Sequence, residues 1–521
     1  MRSGREIIKF LKDECWYGGI INDGYKFPLT CEDTYFIDLT KNDTYNQINP
    51  LFVSTKGRFI WLEKNANISF DKGIITLEAE AYFFDESSTT LKEASKKART
   101  QFFPSNGLLP IEELFTKPQL NTWIGVKGDQ TQERVLEYAK TYLKSGYKPG
   151  VIYIDDGWQS SFGAWDFDLE KFPDPVGCVK ELHEMGFKVA VWLVPYVAKD
   201  LPMAKELMEH NGLLKDSDGR LIEAIWFDGI SYVLDFKSEY GKSWLRGEVY
   251  HLIKKYGIDG IKLDCGDAQF LDCPYPEANE QNELWASFSD GLNENLFVEL
   301  RSCYKNGGKQ YIQRLADKAC IWGVDYVEEK QYEGGYYKYG LSTVIPNMLL
   351  LGLSGCVYGC PDMVGGGLLG DFIKNDFSLE SEYLIRFCQC STFFPMIQFS
   401  HPYWTYDDAR VRDAMRNCIE VREKLLPYIM KLLQDSAISG EPVARYMEYE
   451  FPNEGFEREC NQYLLGDKYL IAPIMERGQT KKLVRFPKAT LWKRFETDEY
   501  YEDEAMFEVD LTTLLIFERI K

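Results

Sequence analysis

Up to about Lys117 apolar and polar positions alternate with a period of two, as in Tyr35-Phe36-Ile37-Asp38-Leu39 and Gly73-Ile74-Ile75-Thr76-Leu77-Glu78-Ala79. Such a period sends successive side chains to opposite faces of a strand, so residues 1–117 are predicted to form a β-rich, sandwich-like domain. A helical stretch near 91–101 and a proline-bearing segment over 103–118 lead out of it. From Asn121 onward the texture changes. Short apolar runs near 123–126, 151–154, 188–194, 231–235, 261–263, 297–301, 310–314, 356–358 and 393–397 are separated by stretches of helical period, for example 131–145, 201–211 and 342–351. Strand then helix, repeated about eight times, predicts an α/β fold, a closed (β/α)8 TIM barrel over 118–436. An open doubly wound sheet is the alternative, against which no glycine-rich phosphate loop follows an early strand. After a helix predicted near 407–435 the alternation returns at 462–473, 483–486 and 514–518, giving a small antiparallel C-terminal β domain over 437–521.

Within the barrel the run Ile261-Lys262-Leu263 stops at a carboxylate, Asp264, and Gly266 frees the backbone to turn before a second, Asp267. Catalytic groups of such barrels gather at the carboxyl ends of the strands, although a lone strand-end Asp can equally cap the next turn. Other predicted strand ends carry Asp155, Asp156 and Trp158; Arg301; Asp317 with Trp322; Asp362; and His401. A closed barrel brings them together.

Composition narrows the chemistry. With 60 Lys plus Arg against 81 Asp plus Glu, the net charge of -21 opposes nucleic acid, anionic membranes and polyanionic substrates. Only four histidines occur and no cysteine pair has zinc-site spacing, so neither a metal nor a cofactor is expected. An odd number of cysteines, 13, suits reduced thiols better than a disulfide framework. No signal-like segment and no run of the roughly 20 apolar residues that span a bilayer is present, which predicts a cytoplasmic protein. Carboxylates, an arginine and tryptophans without metal ligands are the equipment of glycoside hydrolysis, so a carbohydrate substrate is expected.

The barrel and the β domain after it resemble glycoside hydrolase family 31, retaining α-glycosidases. Lys262-Leu263-Asp264-Cys265-Gly266-Asp267 matches the family's D-M-N-E nucleophile motif, with Cys-Gly-Asp in place of Met-Asn-Glu as in a divergent branch of the family. The resemblance implies that Asp264 is the nucleophile, with Lys262 and Asp267 beside the substrate. In the family an Arg precedes the acid/base Asp by sixteen residues and a Trp follows that Asp by five; Arg301, Asp317 and Trp322 keep both intervals, implying Asp317 as acid/base. Asp325, in a W-x-x-D string after Trp322, is the rival. Asp362 matches a site Asp, and His401 lies one residue out of register from a substrate-binding His whose role Gln398 could share. Residues 326–340 look like an insertion beside the site, shaping a leaving-group subsite or an oligomer contact.

Asp155-Asp156-Gly157-Trp158 bears on the sugar. Paired carboxylates can grip several hydroxyls and a Trp offers an apolar wall to a sugar face. Related α-galactosidase families show a D-D-G/C-W segment gripping the 4- and 6-hydroxyls of galactose, which places α-galactoside ahead of α-glucoside. The plainer alternative is a tight turn at Asp156-Gly157 with Trp158 packed in the barrel rim. Trp192 and Trp226 are further wall candidates, or core. The expected reaction is exo-acting, retaining double displacement on small glycosides, with Asp264 ionised and Asp317 holding a proton near neutral pH. An α-glucan lyase, a transglycosylase and a non-catalytic sugar-binding protein are the alternatives. The family's distal C-terminal domain is missing, leaving surfaces that a second copy could cover.

Overall fold

In the computed structural model eight short parallel strands form one sheet: β1 (Gln119–Asn121), β2 (Val151–Ile154), β3 (Lys188–Leu193), β4 (Gly260–Leu263), β5 (Phe297–Leu300), β6 (Ile312–Arg314), β7 (Gly359–Cys360) and β8 (Gln398–Phe399). Neighbours pair in the order β7, β6, β5, β4, β3, β2, β1, β8. A parallel Met363–Gln398 bridge and a 3.2 Å hydrogen bond from the Met396 N–H to the Gly359 carbonyl close the seam between β7 and β8. The sheet is therefore a barrel. The structure describes all residues except 41–46, 227–228, 267, 273–274, 276, 293–295, 328–335 and 374–379, and the side chains of Trp226, Tyr336 and Ile373.

Strands β2, β4 and β5 are buried at every residue, because helices cover their outer faces and side chains fill the inside. The covering helices start on side-chain caps: Thr131 for Gln132–Lys144, Asp174 for Pro175–Glu184 and Ser238 for Glu239–Tyr256. Each cap oxygen accepts a first-turn N–H that the helix itself cannot satisfy. Helix Val344–Leu353 is buried on all sides, as its largely apolar sequence, broken only by Asn347, requires.

Three expectations shift. The predicted strand near 123–126 is the helical turn Thr122–Gly125, since the Asn121 side chain accepts the Trp123 N–H at 2.8 Å and turns the chain just after β1. The run near 231–235 belongs to a small antiparallel sheet, Gly229–Val233 between Tyr196–Ala198 and Glu223–Trp226, inserted after β3. Between β5 and β6 the chain turns back without a helix.

The N-terminal region forms one seven-stranded antiparallel sheet. Its long strand Ile74–Asp85 pairs with Ala66–Asp71 through its first half and with Phe59–Leu62 through its second, joining the predicted β-rich region into one hydrogen-bonded sheet. At the C-terminal end a six-stranded sheet and a two-stranded ribbon enclose a small core that includes Met447, Trp492 and Phe517. Among the described residues no helix is long and apolar enough to cross a membrane.

The 31-residue helix Ala409–Ser439 fixes the entrances to two strands. Its buried Arg422 donates to the carbonyls of Thr392 (2.6 Å), Phe394 (2.7 Å) and Pro395 (2.5 Å) ahead of β8, and of Phe115 (2.9 Å) ahead of β1. Burial pulls its pKa down to about 10, which leaves it charged at neutral pH. Replacing it with Leu orphans four buried carbonyls, each worth about 1–3 kcal/mol when left unsatisfied. Arg422→Leu is expected to destabilise the protein by about 3–5 kcal/mol, seen as a lower thermal midpoint. Arg422→Lys, with three donors on one nitrogen, should recover only part of it.

Candidate active site

Asp264 follows directly on β4. Its N–H continues the ladder to the Leu193 carbonyl at 2.9 Å, and its carbonyl accepts the Trp285 indole N–H at 3.2 Å. The next two residues turn away through the left-handed region, Cys265 at φ 55° and Gly266 at φ 85°. A side chain at Gly266 would bring Cβ to 2.5 Å from the Trp285 ring, so glycine is required there by packing as well as by backbone.

The Asp264 carboxylate is almost fully enclosed by donors. Oδ1 accepts the Cys265 N–H (3.0 Å) and meets Arg301 Nε (3.1 Å) and Arg314 Nη2 (3.5 Å). Oδ2 accepts the Trp192 indole N–H at 2.9 Å. Burial would raise this carboxyl, but Arg301, Lys262 and Arg314 outweigh it and hold it well below the ordinary carboxylate range.

Asp317, in the loop after β6, shares both arginines: Oδ2 lies 3.3 Å from Arg301 Nη1 and Oδ1 lies 2.6 Å from Arg314 Nη1. Its burial is likewise outweighed by Arg314 and Arg301, and its pKa is lowered. Two guanidinium groups facing Asp317 thus favour its ionised form, against the expectation of a proton resting there near neutral pH. Burial, aided by Asp317, pushes Asp362 up to about 6 although Arg314 opposes it, and burial raises Glu299 as well.

Arg314, which sequence reasoning missed, is the hub. Fully buried on β6, it also reaches Asp362 Oδ1 at 2.8 Å and Glu299 Oε1 at 3.3 Å. Two signals pointed to it: its position three residues before Asp317, and its place at a strand end. Glu299 was overlooked too, although it sits two residues before Arg301 on β5 and therefore faces the same way.

The other predicted residues divide. Lys262 is buried and donates to Asp155 Oδ2 at 2.7 Å, where Asn121 Nδ2 also donates at 2.7 Å, so it anchors Asp155 beneath the site. Asp156 accepts from Gln159 Nε2 (2.8 Å) and borders a cleft of about 420 Å³ with Trp123, Lys127, Ser160 and Leu369. Trp123 ties that cleft to the carboxylates by donating to the Gly367 carbonyl at 3.0 Å. Gly367 packs so tightly that a Cβ there would come within 2.9 Å of Asp317 Oδ1 and 3.1 Å of Asp362 Oδ2.

Trp158 is no sugar wall: it is 0 % exposed, donates to the Trp192 carbonyl at 3.0 Å and packs on Phe167. Trp192 is 1 % exposed and serves as a donor to Asp264. Gln398 is buried inside the barrel, holding Glu299 Oε2 at 2.9 Å, and does not share a cleft role with His401. Asp362, at φ 87°, is wholly buried, and its oxygens accept from Arg314 and from the Lys318 N–H at 2.8 Å, so it braces the arginine. Lys318 is buried too, its ammonium 5.7 Å from the Tyr339 ring centre and its pKa pulled down to about 7 by burial. His401 stacks on Phe372 (5.9 Å), and burial with Lys127 nearby pulls it down to about 4, leaving it neutral at pH 7. Half-buried Trp322 lies edge-on to Tyr383 at 5.5 Å. Asp325 is exposed in the hairpin of Val324–Val327 with Tyr336–Tyr339, opposite Lys338, apart from the arginines. Asp267, the side chain of Trp226 and part of the 326–340 insertion lie outside the described residues.

Residues 114–432 match the model of the glycosyl hydrolases family 31 TIM-barrel domain, and residues 440–519 match that of the glycosyl hydrolase family 31 C-terminal domain. The chain belongs to glycosyl hydrolase family 31. It is 25% identical over 429 residues to the myogenesis-regulating glycosidase of Mus musculus, covering 80% of this chain and 58% of that protein. It is 24% identical over 417 residues to alpha-glucosidase 2 of Bacillus thermoamyloliquefaciens, covering 74% and 50% respectively. The chain thus spans between half and three-fifths of these family 31 relatives. A family 31 alpha-xylosidase from a soil metagenome, solved with xylose, superposes with a TM-score of 0.79 at 19% identity, over 99% of this chain and 79% of that one.

Arg314→Met would leave three buried carboxyl groups and the half-buried Asp317 without their shared cation. In the wild type Asp264 and Asp317 have lowered pKa values, so their stabilisation is present above the ordinary Asp range near pH 4 and lost as pH falls through the folded values. In the variant the carboxyl groups rise instead, and stability is lost as pH rises. Its deficit in unfolding free energy relative to wild type, measured by denaturant titration, should be small at pH 4 and widen to about 3–5 kcal/mol by pH 8.

Proposed function

We propose that the protein is a retaining α-glycoside hydrolase in which Asp264 is the nucleophile and Asp317 the acid/base. The observation that carries this reading is the pair of strand-end carboxylates held by the same two guanidinium groups, Arg301 and Arg314. Such sharing suits the short separation, about 5 to 5.5 Å, of double displacement. Asp264 is ionised, as a nucleophile must be, and Trp192 with Cys265 sets the direction of its oxygens. Asp264 attacks the anomeric carbon while Asp317 gives a proton to the departing oxygen. Asp317, then a base, activates the water that releases the sugar with its α configuration retained.

The glycone we propose is α-linked galactose, removed from the end of a small glycoside. Asp156, at the edge of the cleft, is placed to accept hydroxyls, with Trp123 rather than Trp158 as the neighbouring ring. Relatives named for α-glucosidase and α-xylosidase activity make those sugars the comparison. Assayed on p-nitrophenyl α-galactoside, α-glucoside and α-xyloside, the protein should prefer the galactoside, and Asp264→Ala should lose at least about 10⁴-fold in kcat. A glucoside or xyloside preference would refute the sugar and keep the nucleophile; equal turnover by the variant would refute the nucleophile.

The lowered pKa of Asp317 makes the acid form scarce in the free protein. With an alkyl α-glycoside, which needs the proton, kcat/KM should fall as pH rises from 4 to 8. A dinitrophenyl glycoside, whose leaving group needs none, should give a flatter profile. Identical profiles would remove Asp317 from the acid role.

A further inference from the structure

The ladder between β5 and β6 ends at the Leu300–Gln313 pair. One residue further on, the two strands carry Arg301 and Arg314, the cations that grip Asp264 and Asp317. At that point a side chain from the N-terminal sheet region takes over. Gln47, 0 % exposed, donates through Nε2 to the Arg301 carbonyl at 2.9 Å and to the Arg314 carbonyl at 2.5 Å. Its Oε1 accepts the Ala316 N–H at 2.7 Å. One carboxamide thus bridges the two strands and contacts three backbone positions, both arginines and the residue before Asp317; the Arg301 carbonyl also accepts Gln313 Nε2 at 2.7 Å, whereas among the described residues Gln47 alone links it to the Arg314 carbonyl. Gln47 is itself anchored, its carbonyl accepting the Ile21 N–H at 2.8 Å. It lies outside both segments matched to the family.

We propose that Gln47 is a positioning residue for the reaction, setting from another domain the distance between the arginine pair and the two carboxylates. The proposal rests on the assignment of Asp264 and Asp317 above. Arg301 and Arg314 reach these carboxylates at 2.6 to 3.5 Å, so a backbone displacement of a few tenths of an ångström at either carbonyl changes every contact. A purely structural role would let the N-terminal region hold on by any contact. The alternative contact is present nearby: Asn49 Nδ2 donates to the Ser354 carbonyl at 3.2 Å, bridging the same domains away from the arginines.

Gln47→Met keeps the volume and removes all three hydrogen bonds; Asn49→Ala is the comparison. Gln47→Met is expected to lower kcat by roughly 10- to 100-fold with KM changed much less, because misplacement of about 1 Å carries costs of that order. The acidic limb of its pH profile should also move to higher pH, as weaker arginine contacts let the carboxylates take protons sooner. Asn49→Ala should lower the melting temperature and leave both readouts in place. If Gln47→Met does not fold, Gln47→Glu replaces it: protonated, its single O–H serves one carbonyl of the two, and the shift should be intermediate. Carbon-13 NMR titration of labelled aspartates, assigned with Asp264→Asn and Asp317→Asn, measures the same displacement without any substrate. A wild type that cleaves no glycoside defeats the proposed function, and the titration then decides on Gln47 alone. Unchanged titration and an unchanged kcat in a folded Gln47 variant overturn the proposal.

Discussion

The site depends on one buried guanidinium. Arg314 stands among Glu299, Asp264, Asp317 and Asp362, all inside or at the mouth of a barrel where an unpaired charge would cost several kcal/mol. Arg301 adds a second cation to Asp264 and Asp317, and Lys262 is committed to Asp155. Arg301, Arg314 and Lys262 together offset the burial of these carboxyl groups, and they do so unequally. Asp264 and Asp317, each touched by both arginines, are held down; Asp362, touched by Arg314, and Glu299, facing Lys262 and Arg314, are pushed up by burial. Burial of Lys318, pulled down to about 7, belongs to the same balance. Contact with both guanidinium groups accompanies the lowered pKa values, and burial prevails where only one of them makes contact.

The barrel supplies the geometry for this arrangement. On a strand the side chains at i and i+2 share a face, so Lys262 with Asp264 on β4, and Glu299 with Arg301 on β5, each put one group inside the barrel and one at its rim. Arg314 ends β6 at the same level. The inner members form a polar floor, Lys262 to Asp155 and Glu299 to Gln398, on which the rim residues stand. Left-handed backbone at Cys265 and Asp362 lets the chain leave β4 and β7 sharply enough to keep both carboxylates close to the arginines. Such conformations are disfavoured for residues with a Cβ and persist where surrounding contacts over-determine them.

Much of this was legible in the sequence, and the rest failed for identifiable reasons. The change from period-two alternation to apolar runs separated by helical stretches marked the barrel, and Asp264, Arg301 and Asp317 were found at strand ends by chemistry and spacing. Tryptophan misled, because an indole reads alike as a sugar platform or as core; Trp158 and Trp192 are core rings whose N–H groups serve a carbonyl and Asp264. Gln398 and Asp362 were correctly placed near the site, but which way a side chain faces at a barrel rim depends on shear and loop path, which no local pattern encodes. Gln47 was invisible for a deeper reason. A lone glutamine in a β-rich segment carries no signal until the fold brings it across two hundred and fifty-four residues to Arg301.

The proton balance bears on the order of events in the proposed mechanism. Deglycosylation leaves a proton on Asp317, taken from the attacking water, and the next glycoside needs that proton on the same carboxyl. Arg301 and Arg314 act against its retention, since each favours the ionised form. Asp362 meets the same Arg314 nitrogen as Asp317, at 2.8 and 2.6 Å, and burial raises its pKa where that of Asp317 is lowered. The arginines that hold Asp264 ready to attack are thus the groups whose hold on Asp317 must loosen as substrate binds, which ties the charge state of the acid to occupancy of the site.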